Sequence, residues 1–111
     1  MPRINPNKMS YHLQEELLDD FCSVLSEMRV QAFMKKFIKD LLNRQERIML
    51  LRRLLVAKML VDGKSYNEII KELGVGKSTI ARISKWVHFG RGGYKIAVRK
   101  YYTVQNKKDK K

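Results

Sequence analysis

The segment Ser65-Tyr66-Asn67-Glu68-Ile69-Ile70-Lys71-Glu72-Leu73-Gly74-Val75-Gly76-Lys77-Ser78-Thr79-Ile80-Ala81-Arg82-Ile83-Ser84-Lys85 reads as two short helices joined by a glycine-containing turn. Ser65 followed three residues later by Glu68 is a capping-box signal that starts the first helix. Gly74, free to take positive φ, stops it and lets Val75 turn inward. Ile69, Ile70, Leu73, Val75, Ile80 and Ile83 then form an apolar seam between the helices. What remains outward is Gly76, Lys77, Ser78, Ala81, Arg82 and Lys85, small, hydrogen-bonding and cationic groups near the N-terminal end of the second helix. This is a helix-turn-helix pattern, and such a face suits the major groove of double-stranded DNA.

The same letters contain a decoy. Gly74-Val75-Gly76-Lys77-Ser78-Thr79 resembles the end of a phosphate-binding P-loop, but that motif needs glycine where Lys71 stands and a buried strand before it. The preceding Asn67 to Leu73 is charged and helix-patterned, which excludes the nucleotide-binding reading.

Charge is the second bound on function. Among 111 residues, 24 Lys/Arg face 11 Asp/Glu, a net +13. Split at Gly63, residues 1–62 hold 11 basic against 8 acidic side chains, +3, and residues 63–111 hold 13 against 3, +10. The positive field belongs to the helix-turn-helix half and attracts phosphates through counterion release. Cys22 is the only cysteine, so there is neither an intrachain disulfide nor a zinc framework, and a reducing cytoplasm fits. No metal or cofactor is expected. The N-terminus lacks a signal-peptide apolar run, and no apolar stretch approaches the ~20 residues that span a bilayer, so no membrane partner is expected either.

The length argues one domain, residues 1–111: a helical and dimerising core over 10–62, the helix-turn-helix over 63–89, and a glycine hinge, short helix and basic tail over 90–111. Residues 1 to about 9 read as an unpatterned leader and Lys107 to Lys111 as a disordered basic end. Leu13, Leu17, Leu18, Phe21, Val24, Leu25 and Met28 predict an amphipathic helix over roughly 10–28, and Ala32, Phe33, Phe37, Ile38, Leu41 and Leu42 predict another. A third helix starts near Asn43 and Glu46 and stops at Gly63. Its Ile48, Met49, Leu50, Leu51, Leu54, Leu55, Val56, Met59, Leu60 and Val61 make it apolar around most of its circumference. One small chain has few other helices to cover it, so a second copy is expected to supply part of the core and a homodimer to form; the alternative is a tightly packed monomer with this helix at its centre.

The residues also resemble a family. Lys71-Glu72-Leu73-Gly74-Val75-Gly76, with Thr79-Ile80 and Arg82, looks like the DNA-reading segment of the Trp repressor superfamily. Val56-Ala57-Lys58-Met59-Leu60, Gly63-Lys64-Ser65-Tyr66 and Gly92-Gly93-Tyr94-Lys95 resemble its YerC/YecD-type branch, and the likeness spans roughly residues 35–100. It implies an all-α fold: a small helical domain with a helix-turn-helix, assembled as an intertwined homodimer whose recognition helices enter successive major grooves. On that basis Gly76, Lys77, Ser78, Thr79, Arg82, Lys85, Arg91 and Lys95 are the expected DNA-contacting residues. Tryptophan-responsive members hold the indole between two arginines, beside a glycine and a serine of the recognition helix. Arg82 matches one arginine and Arg52 or Arg53 the other, whereas Ile83 replaces the glycine and Trp86 the serine. Those two replacements are expected to fill the ligand volume, so L-tryptophan is not the expected effector and the small-molecule effector is left unnamed. Trp86 itself reads first as an aromatic anchor at the end of the recognition helix.

The expected function is that of a dimeric, sequence-specific transcription regulator, most simply a repressor, cytoplasmic and associated with the nucleoid. A basic RNA-binding or architectural protein would keep the charge but lose the sequence-reading role of Lys77 to Lys85, and no aromatic stacking module is present to support it. An enzyme would need His12 or His88 beside a carboxylate or Cys22, and the two histidines lie in separate segments without motif context.

Overall fold

The computed structural model describes residues 5–109, and among them every regular element is helical. A single 3-10 turn, Pro6–Lys8, precedes α1 (Tyr11–Glu27), α2 (Gln31–Leu41), α3 (Arg44–Val61), α4 (Tyr66–Leu73), α5 (Lys77–Phe89) and α6 (Gly93–Asp109). Of the expected unpatterned leader, residues 1–4 lie outside the described residues, as do 110 and 111 of the basic end. Lys107 and Lys108, expected in a disordered tail, belong instead to α6, which runs 17 residues rather than forming a short helix.

Local chemistry fixes the boundaries. Ser10 caps α1 by accepting from the Leu13 N–H at 3.1 Å. α3 ends in a Schellman arrangement, with Lys64 N–H donating to the Met59 carbonyl at 3.0 Å and Gly63 N–H to that of Leu60 at 3.1 Å. Gly63 takes φ +85° there. The capping box at α4 is complete: the Glu68 N–H donates to Ser65 Oγ, and the Ser65 N–H donates to Glu68 Oε1. Those bonds from Ser65, backbone first, hold the Glu68 carboxyl below its ordinary range. Gly74 closes α4 at φ +67°.

The chain divides into two compact units between Asn43 and Arg44. Each has its own character. The first holds six Lys/Arg and six Asp/Glu and is neutral; the second holds eighteen against five and carries the whole +13. α1 and α2 have no fully buried residue, although Phe21 and Phe37 meet with ring centroids 6.2 Å apart. The buried apolar core lies entirely in the second unit: Val56, Ala57 and Met59 of α3, Ile69 of α4, Ile80, Ile83 and Val87 of α5, and Val98 of α6. Leu73 and Val75 pack against it, as the seam predicts. The third helix therefore belongs with the helix-turn-helix rather than with the two helices before it. Its N-terminal half, with Ile48, Met49, Leu50 and Leu51, is open to solvent in the single chain.

A polar latch fastens α6 to the end of α3. The Tyr102 hydroxyl donates a short hydrogen bond to Asp62 Oδ1. Lys58 Nζ pairs with Asp62 Oδ2 at 3.0 Å and sits 5.3 Å from the Tyr102 ring centroid and 5.7 Å from that of Tyr101. The Tyr102 bond, and after it Lys58, pulls the Asp62 carboxyl below its ordinary value of 3.8, while the same bond raises the Tyr102 phenol above 10.0. A depressed carboxyl contributes stability that is present above its unfolded pKa and lost as pH falls through the folded one. A raised phenol contributes stability below its unfolded pKa that is lost as pH rises through the folded one. The Tyr102→Phe variant is expected to lose about 0.5–1 kcal/mol near neutral pH, an amount discounted for solvent exposure. Its deficit should shrink below pH 3.8, which urea melts at pH 7 and pH 3 would measure.

Candidate nucleic-acid interface

α5 is held by its inward side and free on its outward one. Ile80, Ile83 and Val87, three and four residues apart, lock it onto α3, α4 and α6. Gly76, Lys77, Ser78, Ala81, Arg82 and Lys85 are exposed. Thr79 departs from them, being half-buried and facing a cavity rather than open solvent. Gly76 caps α5 without a side-chain hydrogen bond, so no side chain of the cap occupies the N–H groups of the first turn. The positive end of the helix dipole and the Lys77 ammonium thus lie together at one exposed tip, an arrangement that attracts phosphate.

The other expected cations flank this helix. Arg91, in the connection that Gly90 and Gly92 shape, and Lys95, in the first turn of α6, are both exposed. A β-carbon at Gly90 would collide with the Trp86 carbonyl oxygen, which accepts the Gly90 N–H at 2.9 Å. That close approach ends α5 and sends the chain into α6.

Beneath α5 lies a cavity of about 460 Å³, and Arg52, Arg53 and Arg82 all border it, with Val75, Ile83, Trp86 and Tyr94 among its apolar walls. The expectation that Ile83 and Trp86 would fill this space is corrected here. Ile83 points into the core and is 3 % exposed, so its bulk is spent on packing α5, while Trp86 stands at the rim and is 48 % exposed. Trp86 is accordingly not a buried anchor. It also borders a second, more open apolar depression of about 470 Å³ with Leu50, Leu54 and Ala97.

Of the two histidines, His12 pairs with Glu16 at 3.2 Å on the open surface of α1, and His88 lies edge-on to Phe89. Sequence reasoning missed the Lys58–Asp62–Tyr102 latch. The i,i+4 pair of Lys58 and Asp62 was a visible signal, but the partner forty residues away was not.

Among the described residues, six α-helices, a capped helix-turn-helix and an exposed, cationic side of α5 define an all-helical protein of the helix-turn-helix class. A family model described as "Trp repressor protein" matches residues 16–102. The chain belongs to the Trp repressor family. It is 33 % identical over 84 residues, 76 % of this chain and 80 % of the other, to the "Uncharacterized protein YerC" of Bacillus subtilis strain 168, which places it in the YerC-type branch. Its fold matches a crystal structure described as "a putative Trp repressor from Staphylococcus aureus" with a TM-score of 0.66 and 25 % identity, over 90 % of this chain and 96 % of that one.

Proposed function

We propose that the protein is a homodimeric, sequence-specific DNA-binding regulator, a repressor by family analogy, working in the cytoplasm at the nucleoid. The observation that carries this reading is the exposed side of α5: Lys77, Ser78, Arg82 and Lys85 stand on a helix whose other side is pinned by three buried aliphatic residues. A helix so fixed enters a major groove without first having to order itself. Membership of the family and the concentration of the whole net charge in the Arg44–Lys111 unit support the same reading.

Base readout is assigned to Lys77, Ser78 and Arg82; Gly76 and Thr79 shape the helix tip, and Lys85, Arg91 and Lys95 hold phosphates. The two groups fail differently. Arg82→Ala is expected to cost about 1–3 kcal/mol on a preferred duplex and to relax base preference there. Lys95→Ala weakens preferred and scrambled duplexes alike and makes the salt dependence shallower by about one contact. Fluorescence anisotropy of both variants on both duplexes at two salt concentrations is the test, and equal, sequence-independent losses from both contradict direct readout.

The cavity bordered by Arg52, Arg53 and Arg82 has room for a small molecule, so volume alone does not exclude L-tryptophan. Its lining chemistry disfavours it. Where tryptophan-responsive members offer a serine hydroxyl, this chain offers the Trp86 indole, and where they offer bare backbone it offers Ile83. Without those contacts the ligand gains little differential affinity for the DNA-competent state and shifts little population. Millimolar L-tryptophan is therefore expected to tighten DNA binding by less than tenfold, about 1.4 kcal/mol. A larger gain would make the three arginines a working tryptophan clamp.

A further inference from the structure

We propose that α6 is a second DNA-contacting element: a track of cations, Lys95, Arg99, Lys100 and Lys107, that follows the phosphate backbone of duplex DNA beyond the segment read by α5. The proposal rests on the DNA-binding reading above. Val98 is buried, and Tyr94 and Tyr102, four residues to either side, pack on the same core, which fixes the inward side of α6. At 100° per residue from Val98, Arg99, Lys100 and Lys107 then fall on the outer half of the helix, and Lys95, about 60° from Val98, lies at the flank of the packed side. All four are exposed. They extend over twelve residues, about 18 Å of helix axis.

Nothing on the helix neutralises them. Asp109, the last residue of α6, is its only carboxylate. Lys58 pairs with Asp62 and Lys64 with Glu68, and neither pair involves an α6 cation. Lys95 and Arg99 stand four residues apart, where like charges repel by a few tenths of a kcal/mol. A polyanion laid along the track removes that repulsion. The apolar residues exposed on α6, Ile96 and Val104, are eight residues apart and form no continuous face of the kind that beds a helix in a lipid surface. α6 packs directly on α5, so the two share one rigid body, and a duplex docked on the one has its flanking phosphates available to the other.

The experiment compares the wild type with an Arg99→Gln, Lys100→Gln, Lys107→Gln triple variant on 12- and 30-base-pair mixed-sequence DNA duplexes, from 50 to 200 mM salt. Circular dichroism confirms that helicity is retained. On the 30-base-pair duplex the variant is expected to bind roughly tenfold or more weakly, with a log–log salt slope shallower by about 2.7 per protomer, 0.9 for each lost contact. The 12-base-pair duplex should register a smaller loss. A second variant, Arg99→Lys, Lys100→Arg, Lys107→Arg, keeps the charge and should keep the slope. Unchanged affinity and slope on the long duplex overturn the proposal, as does a loss seen only with duplex RNA of the same length. Failure of the wild type to bind any DNA duplex is a different result, and it removes the DNA-binding reading itself.

Discussion

Ile80→Ala is expected to lower the stability of the protein by about 2–4 kcal/mol and to weaken DNA binding in proportion. Ile80 is fully buried where α5 meets α4, with Ile69 and Val56 in the same cluster. Truncation there removes transfer free energy and leaves a cavity that helices capped at both ends cannot collapse to fill. The core is small, so the loss is a large share of a stability that for domains of this size is only a few kcal/mol. Urea melts of the wild type, Ile80→Val and Ile80→Ala check it. The valine variant should lose about 1 kcal/mol and the alanine variant several times that. Equal midpoints for all three would show that the seam does not hold the recognition helix.

The second large effect concerns assembly. Leu51 is 59 % exposed in the single chain, and Ile48, Met49 and Leu50 beside it are also open. α1 and α2 leave Leu17, Leu18, Val24 and Phe33 uncovered as well. So much apolar surface on a small chain calls for a partner, and the proposed homodimer supplies a second copy as that partner. Light scattering is expected to report twice the 13.1 kDa chain mass at micromolar concentration. Leu51→Glu places a carboxylate in the surface to be buried and is expected to raise the dissociation constant by two orders of magnitude or more, about 3 kcal/mol. A wild type that is a folded monomer at those concentrations, or a Leu51→Glu protein that stays dimeric, contradicts the dimer.

The parts of the fold that were legible in the sequence are those set by chemistry within a few residues. Ser65 with Glu68, Gly63 and Gly74 mark helix ends because capping oxygens and positive φ act locally, and α3 ends and Tyr66–Leu73 begins and ends where those residues require. The aliphatic seam was legible too, since a 3.6-residue period identifies a buried side without reference to the rest of the molecule. Three features were not. α6 outruns its short apolar patch because Tyr101 and Tyr102 dock on Lys58 and Asp62, a contact that joins distant parts of the chain. α3 sides with the helix-turn-helix because packing, not chain order, decides which helix face is covered. Ile83 walls the cavity without filling it because most of its side chain is buried in the core, a placement that residue type alone does not give.

On the candidate interface, the sequence identified cations and small residues at the start of α5 but could not separate Thr79, which faces the cavity, from its neighbours. Nor did it set Arg99, Lys100 and Lys107 apart from a solubilising surface. Their alignment became evident only once Val98 fixed which side of α6 faces inward.

The most direct test of the central claim, that α5 reads base sequence as one of a symmetric pair, is selection of bound fragments from a pool of random duplex DNA. The account predicts enrichment of a palindrome whose half-sites lie about one helical turn apart. Uniform enrichment, with no common sequence and affinity set by duplex length and salt alone, would contradict it.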